Sequence, residues 1–325
     1  MLEHFYSRQN LIESKLKSFL RKKSYPKEVY SLIEEFISLG GKRIRPLLVT
    51  SCCSLVGGKE KDCIDAAIAV ELFHNFTLIH DDIEDNSTLR RGKPCLHIKY
   101  GLPLALNAGD GLFMLVWKAA LNIKKYNLEA QKILLDSFTA VLEGQAIELS
   151  WYKNNNWEIS IQDYLKMVGG KTASLLAGSA KVGALLGGGS KKEQQALFNY
   201  GYVLGLAFQI QDDILNLVGD EKKYKKEIGG DIAEGKRTLM VLDCLQKLKK
   251  EDSLKLKRIL SSKNNSKEEI YWAIEQIKKT DSISFAKNLS FKLAKKAKNY
   301  LNIFNDNQEK KDLMDLANFV ISRDF

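Results

Sequence analysis

The stretch Asp163–Gly188, "DYLKMVGGKTASLLAGSAKVGALLGG", decides the fold. Its apolar residues recur at steps of three and four, the spacing that gathers them along one side of an α-helix. The stretch Leu197–Gly219, "LFNYGYVLGLAFQIQDDILNLVG", carries the same period onward. The chain has only four prolines, Pro26, Pro46, Pro94 and Pro103, so nothing interrupts a helix beyond position 103. No sustained alternation of apolar and polar residues signals a hairpin. The pattern predicts helices near 2–21, 27–38, 43–56, 61–84, 103–125, 128–150, 160–168, 171–186, 191–218, 234–248, 267–278, 283–303 and 308–322. Neither a Gly/Ser- or Pro-rich linker nor a fixed-period repeat divides the chain, so residues 1–325 read as one all-α domain. Small residues at Ala173, Ala177, Gly178, Ala180 and Gly183 predict close approach of neighbouring helices.

With 325 residues and 45% hydrophobic content, the chain can bury a sizeable core. Its net charge of +10 points toward acidic partners such as phosphates, membranes or nucleic acid. The lysines around 245–300 alternate with Leu and Ile at helical spacing, which reads as solvated helix faces. No basic stripe interleaved with aromatics supports nucleic-acid binding. Five cysteines without metal-ligand spacing read as reduced thiols. The N-terminal "MLEHFYSRQNLIESKL" shows no basic segment followed by an apolar one, and no apolar run is long enough for a bilayer. A soluble, cytoplasmic protein is expected.

Chemistry concentrates at His80–Pro94, "HDDIEDNSTLRRGKP". On a helix, Asp81 and Asp85 fall four residues apart and share one face, where like charges repel. A cation between them removes the cost. Carboxylate oxygens without Cys or His in the cluster suit Mg²⁺, which is typically held by one or two carboxylates plus a substrate phosphate. A second acidic pair, Asp212 and Asp213, closes the apolar run in "FQIQDDILN". Cations accompany both: Arg90 and Arg91 after the first, Lys171 in "GGKTASLL", Lys226 and Lys236 in "YKKEIGGDIAEGKRTL", and Lys42, Arg43 and Arg45 in "GGKRIRP". Arginine holds phosphate with a fork and lysine as a point charge. Metal-binding acids beside phosphate-binding bases, among apolar helices, describe a site for a diphosphate with a greasy tail.

These motifs, in this order and spacing from about Gly40 to Met240, resemble the polyprenyl (isoprenyl) diphosphate synthase family. The compact first motif, with an aromatic residue five positions upstream, is most similar to that of short-chain geranylgeranyl diphosphate synthases. The resemblance implies a barrel of antiparallel helices around a central cavity, usually in a homodimer. It implies head-to-tail addition of isopentenyl diphosphate to an allylic diphosphate (dimethylallyl, geranyl or farnesyl). By similarity, Asp81, Asp85 and Asp212 ligate Mg²⁺, with Asp82 and Asp213 orienting or sharing that shell. Arg90, Lys171, Lys226 and Lys236 neutralise the leaving pyrophosphate. Lys42, Arg45, His74 and Arg91 form the isopentenyl diphosphate pocket, and Thr172 and Gln209 line the allylic carbon.

Two positions depart from the family pattern. Asn216 ends the second motif where most members carry Asp, which predicts weakened affinity at one metal site, and Lys225 replaces a common glycine. Other readings explain less. A His-Asp phosphohydrolase suits "HDD" alone, and a P-loop needs more than Gly109-Asp110, expected instead as a helix-start turn. A terpene cyclase would lack "GGKRIRP", and a non-catalytic subunit would lose acids or lysines that are present here. Gln145 and Glu148 sit three apart in "GQAIELS", with Glu148 expected to be structural.

Product length turns on Phe73, Phe76 and Thr77. At roughly 100° per residue, Thr77 lies about 40° from Asp81, Phe73 about 80° and Phe76 about 140°. Geometry alone favours Phe73, about 12 Å below Asp81, as the floor under a growing chain. The resemblance favours Phe76, since its ring can lean toward the helix N-terminus. The expectation is a product of four isoprene units set by Phe76, with farnesyl or longer products as the alternative.

Overall fold

A computed structural model describes residues 3–21, 25–218, 229–262 and 264–322 of the chain. Helices account for nearly all of it: α1 (Glu3–Leu20), α2 (Lys27–Ser38), α3 (Ile44–Leu55), α4 (Glu60–Glu84), α5 (Leu96–Tyr100), α6 (Leu102–Ala120), α7 (Asn127–Lys153), α8 (Ile161–Val168), α9 (Ser174–Leu186) and α10 (Lys191–Val218). After these come α11 (Gly230–Ala233), α12 (Leu239–Lys247), α13 (Lys250–Ser261), α14 (Lys267–Lys279), α15 (Ser282–Asn299) and α16 (Gln308–Ser322).

Among the described residues, the exceptions to helix are instructive. Leu89–Arg90 (β1) pairs antiparallel with Lys93–Pro94 (β2), a turn too short for any alternation to announce. Gly109 and Asp110 lie inside α6, correcting the expected helix-start turn. The helix expected from 234 begins only at Leu239, with Thr238 Oγ1 capping the Val241 amide. Helix α13 went unforeseen because "EDSLKLKRILSS" buries only Leu256, Ile259 and Leu260 and is otherwise charged. The helix expected from 171 instead continues α8 through a π-helical segment, Gly169–Ala173. Local signals set several starts: Ser160 Oγ accepts from the Asp163 amide at 3.1 Å while Asp163 accepts from the Ser160 amide at 2.9 Å. Such a reciprocal cap stabilises a helix by about 1 kcal/mol.

The chain forms two compact units. One comprises Met1–Phe138, Leu175–Gly201 and Tyr300–Asp315; the other comprises Thr139–Ser174, Tyr202–Asn299 and Leu316–Phe325. In the first, α4 packs against α3 and α6. From Ala66 to Phe73 every α4 residue is buried, so this helix is enclosed on all sides at the centre of its unit, with Glu71 the one charged residue in that stretch. In the second, Tyr164, Met167, Leu206, Ile210, Ile214, Leu239 and Met240 share one core with Leu256 and Ile274. That core holds α8, α10 and α12 together beneath the polar residues described next.

Candidate active site

In the second unit one cavity collects most of the expected allylic-site residues: Lys171, Thr172, Gln209, Asp212, Asp213 and Lys236. The π-helical segment delivers the first two. There a Cβ on Gly144 would lie 2.1 Å from the Lys171 backbone nitrogen, and one on Gly170 would lie 2.8 Å from the Ala140 carbonyl oxygen. Backbone therefore meets backbone between α7 and this segment, which only glycine permits. An extra residue in a helical turn is a common device for re-aiming side chains at functional sites.

Hydrogen bonds and ion pairs tie several of the cavity's polar side chains together. Thr172 Oγ1 donates to Gln209 Oε1 at 2.8 Å, and Gln209 Nε2 donates to Asp213 Oδ1 at 2.8 Å. Tyr164 donates its hydroxyl to Asp213 Oδ2 at 2.7 Å. Burial and the nearby Asp231 push the Asp213 carboxyl up, outweighing the two hydrogen bonds that favour its charge. Lys236 Nζ lies 2.5 Å from Glu234 and 3.3 Å from Asp231.

Glu148, expected from the sequence to be structural, also belongs to this cavity. It is buried, accepts from Lys171 Nζ at 2.5 Å and from Tyr152 at 2.8 Å, and lines the same cavity. Burial opposes its charge, yet Lys171 and Lys236 hold its carboxyl below the usual carboxylate range. A carboxylate inside the apolar face of "GQAIELS" was the available signal. Tyr164, Asp231 and Arg237 also line the cavity and were not singled out. Arg237 is clamped between the Trp157 ring at 4.2 Å and the Tyr152 ring at 4.9 Å.

Asn216 is buried, and its Oδ1 accepts the Asp231 amide at 2.9 Å. The amide side chain thus caps the backbone that presents Asp231. Lys225 and Lys226 lie outside the described residues.

In the first unit, Asp81 and Asp85 stand at the C-terminal end of α4, where the Asp85 amide donates to the Asp81 carbonyl at 2.8 Å. Helical spacing thus continues to Asp85, one turn after Asp81. Asp82 differs: it is buried, and its Oδ1 receives both Nε and Nη2 of Arg90. Asp82 therefore fixes Arg90. Arg45 Nη1 lies 3.1 Å from His74 Nε2, and Arg91 Nη1 donates to the Gly40 carbonyl. Burial, then Arg45, Arg91, Arg90 and Arg43, push the His74 pKa well below its usual value. His74 is therefore neutral and can accept from Arg45. Four guanidinium groups thus act on one neutral imidazole, with Arg43 and Arg90 each also paired to a carboxylate.

Phe76 is packed among Phe73, Phe113 and His80, with ring centroids 5.6, 5.1 and 4.6 Å away. Phe73 is fully buried and stacked on Phe138 at 3.8 Å. Thr77 is half-buried and spends its hydroxyl on the His74 carbonyl at 2.8 Å.

Among the described residues, no three His, Cys, Asp or Glu side chains cage a metal unaided. The carboxylate pairs Asp81/Asp85 and Asp212/Asp213 nevertheless offer the oxygen-only chemistry that a hard divalent cation takes when water and phosphate complete its shell. Burial raises the Asp213 carboxyl first, and the repulsion from Asp231 that adds to it is what such a cation would relieve.

Comparison with known proteins agrees with this chemistry. The family pattern described as Polyprenyl synthetase matches residues 26–277. The chain is 41% identical to a short chain isoprenyl diphosphate synthase of Methanocaldococcus jannaschii, over 96% of this chain and 93% of that one. It superposes on geranylgeranyl pyrophosphate synthetase from Pyrococcus horikoshii with a TM-score of 0.91, at 33% identity and 99% coverage of both chains. A polyprenyl synthase from Caulobacter crescentus, complexed with calcium and isoprenyl diphosphate, gives a TM-score of 0.93 at 29% identity, covering 100% of this chain and 98% of that one. The all-α fold, the ordered acidic and basic motifs and these likenesses agree: the chain belongs to the polyprenyl synthetase family and is a prenyltransferase of the isoprenyl diphosphate synthase type.

Proposed function

We propose that this prenyltransferase adds isopentenyl diphosphate head-to-tail to allylic diphosphates and releases mainly geranylgeranyl diphosphate, with residues 1–325 acting as one synthase domain. The carrying observation is the second unit's cavity, where Lys171 and Lys236 stand beside Asp212, Asp213 and Glu148. The acids would hold a divalent cation and the lysines would meet a diphosphate, so a metal-bound diphosphate would satisfy both sets of charge.

Mg²⁺ is the proposed cation, for which Asp81 and Asp85 in the first unit and Asp212 in the second would supply ligands; when bound it would supply Lewis-acid neutralisation of the allylic diphosphate. The chain's own residues do the rest. Lys171, Lys236 and Arg90, with Lys226, meet the negative charge that grows on the departing pyrophosphate. The Thr172 hydroxyl fixes the Gln209 amide, whose dipole faces the allylic carbon as the carbon–oxygen bond breaks. Lys42, Arg45, His74 and Arg91 orient isopentenyl diphosphate, whose double bond attacks the cation. The proton lost from the new cation passes to pyrophosphate. Apolar walls exclude water that would otherwise quench the cation.

A homodimer in the cytoplasm is proposed as the working form. Along α7, Leu128, Leu135 and Leu142 recur every seven residues and stand 80%, 49% and 48% exposed, a stripe suited to a second copy. Among the described residues, no helix is long and apolar enough to cross a membrane.

The test follows pyrophosphate release from farnesyl and isopentenyl diphosphates while Mg²⁺ is titrated into the parent, Asp81→Asn and Asp212→Asn proteins. The proposal expects release that needs metal and that both substitutions suppress. Metal-independent release, or parent-like release from both variants, overturns the site.

A further inference from the structure

The geometry points to Arg43 as a positioning residue: clamped by Glu13, Glu71 and the Ile37 carbonyl, it holds the loop that presents Lys42 and Arg45 to isopentenyl diphosphate. This rests on the reading of Lys42, Arg45 and His74 as that substrate's pocket.

Arg43 sits in the middle of "GGKRIRP" but does not share the exposure of its neighbours. Gly41 and Lys42 are exposed, whereas Arg43 is 3% exposed. Its three guanidinium nitrogens reach three different segments. Nε donates to Glu13 on α1 at 2.6 Å, Nη1 to Glu71 on α4 at 2.6 Å, and Nη2 to the Ile37 carbonyl near the end of α2 at 3.0 Å. Glu71 is itself buried and accepts from Asn75 Nδ2 at 2.9 Å, while Asn75 Nδ2 also reaches the Glu71 carbonyl at 2.8 Å. A planar fork with fixed donor directions can satisfy this arrangement, and an ammonium cannot.

The clamp acts on backbone shape. Arg43 adopts φ 51° and ψ 36°, a left-handed conformation that a non-glycine residue keeps only when its surroundings enforce it. With Gly40 at φ 78° and Gly41 at φ 142°, it turns the chain from α2 into α3. Arg91 braces the same loop from outside through the Gly40 carbonyl, and a Cβ on Gly41 would lie 2.8 Å from Arg91 Nη2. Lys42 stands at the tip of this turn, and Arg45, in the first turn of α3, reaches His74. Glu71 lies one helical turn before His74 on α4, so one carboxylate ties the loop to the helix that carries the other half of the pocket. It also places a buried negative charge among the cations, offsetting the repulsion of Arg43 and Arg91.

The experiment measures both substrates' KM and kcat for Arg43→Lys, Glu71→Gln and, as reference, Arg45→Ala, with thermal unfolding of each. Arg43→Lys keeps the charge and loses the fork. Glu71→Gln keeps the side-chain shape and loses the charge, giving a second route if the first variant folds poorly. Expected for each is a rise of about tenfold in the KM for isopentenyl diphosphate, with allylic KM and saturated kcat within about twofold of the parent. The double variant should be no worse than the poorer single one, because the two residues act as one unit. A fall in unfolding temperature with both KM values unchanged overturns the inference, as does an equal rise in both. If Arg45→Ala raises the isopentenyl KM and the clamp variants do not, positioning alone has failed. If Arg45→Ala also leaves it unchanged, the pocket assignment falls and takes this inference with it.

Discussion

Replacing Phe76 by alanine should lengthen the product by one isoprene unit. Phe76 lies five residues before Asp81 on α4, about 7.5 Å along the axis toward the N-terminus. Its ring contacts Phe73, Phe113 and the His80 imidazole, and it is 9% exposed where Phe73 is 0%. Alanine removes a six-carbon ring, and one further isoprene unit adds five carbons, so the vacated space matches one round of elongation. The Phe73–Phe138 stack, at 3.8 Å and 10° between planes, then remains as the next barrier. The two aromatic positions should also differ in stability. Phe→Ala in a core costs about 3–5 kcal/mol, and Phe73→Ala should add about 0.5–1.5 kcal/mol for the lost stack. The assay extends farnesyl diphosphate with labelled isopentenyl diphosphate and separates the products by chain length after removal of the diphosphate. Phe76→Ala should move the main product from four units to five. An unchanged product from Phe76→Ala, together with a longer one from Phe73→Ala, would refute the reasoning and make Phe73 the floor.

Asp81→Ala should lower kcat by about a hundredfold or more, equivalent to roughly 3–4 kcal/mol of lost charge stabilisation, with thermal unfolding little changed. Parent-like turnover in saturating Mg²⁺ would remove Asp81 from the metal site. Arg45→Ala should raise the KM for isopentenyl diphosphate selectively, whereas Lys236→Ala should act on the allylic substrate or on kcat; steady-state kinetics with each substrate varied separates them. Glu148→Gln should reduce kcat about tenfold without changing the isopentenyl KM, because Lys171 loses the carboxylate 2.5 Å away that aims it. Equal effects on both substrates would return Glu148 to a purely structural role.

Much of the fold could be read from periodicity, because helices such as α4 and α10 are long, proline-free and strongly apolar along their length. What escaped was set by short or mostly polar segments: α13 shows too little apolar face, and the Leu89–Pro94 turn has strands of two residues. The π-helical segment could not be read either, since it lies where Gly144 and Gly170, from separate parts of the sequence, bring backbone against backbone. The acidic and basic motifs were legible as chemistry because like charges closing an apolar run need a counterion. Their partners were less so. Asp82 reads like its neighbours, yet it holds Arg90; Arg43 reads like Lys42 and Arg45, yet it is buried on two carboxylates. Sequence spacing identifies which side chains carry charge. Burial decides which of them meet substrate and which hold the others in place.

The most direct test incubates the purified protein with isopentenyl diphosphate and, separately, dimethylallyl, geranyl and farnesyl diphosphates, with Mg²⁺ or with EDTA, and resolves the products by chain length. The account predicts elongation of each primer in Mg²⁺, converging on a four-unit allylic diphosphate with one pyrophosphate released per unit added, and none in EDTA. Primers recovered unextended in Mg²⁺, or hydrolysed or cyclised without consumption of isopentenyl diphosphate, would contradict it.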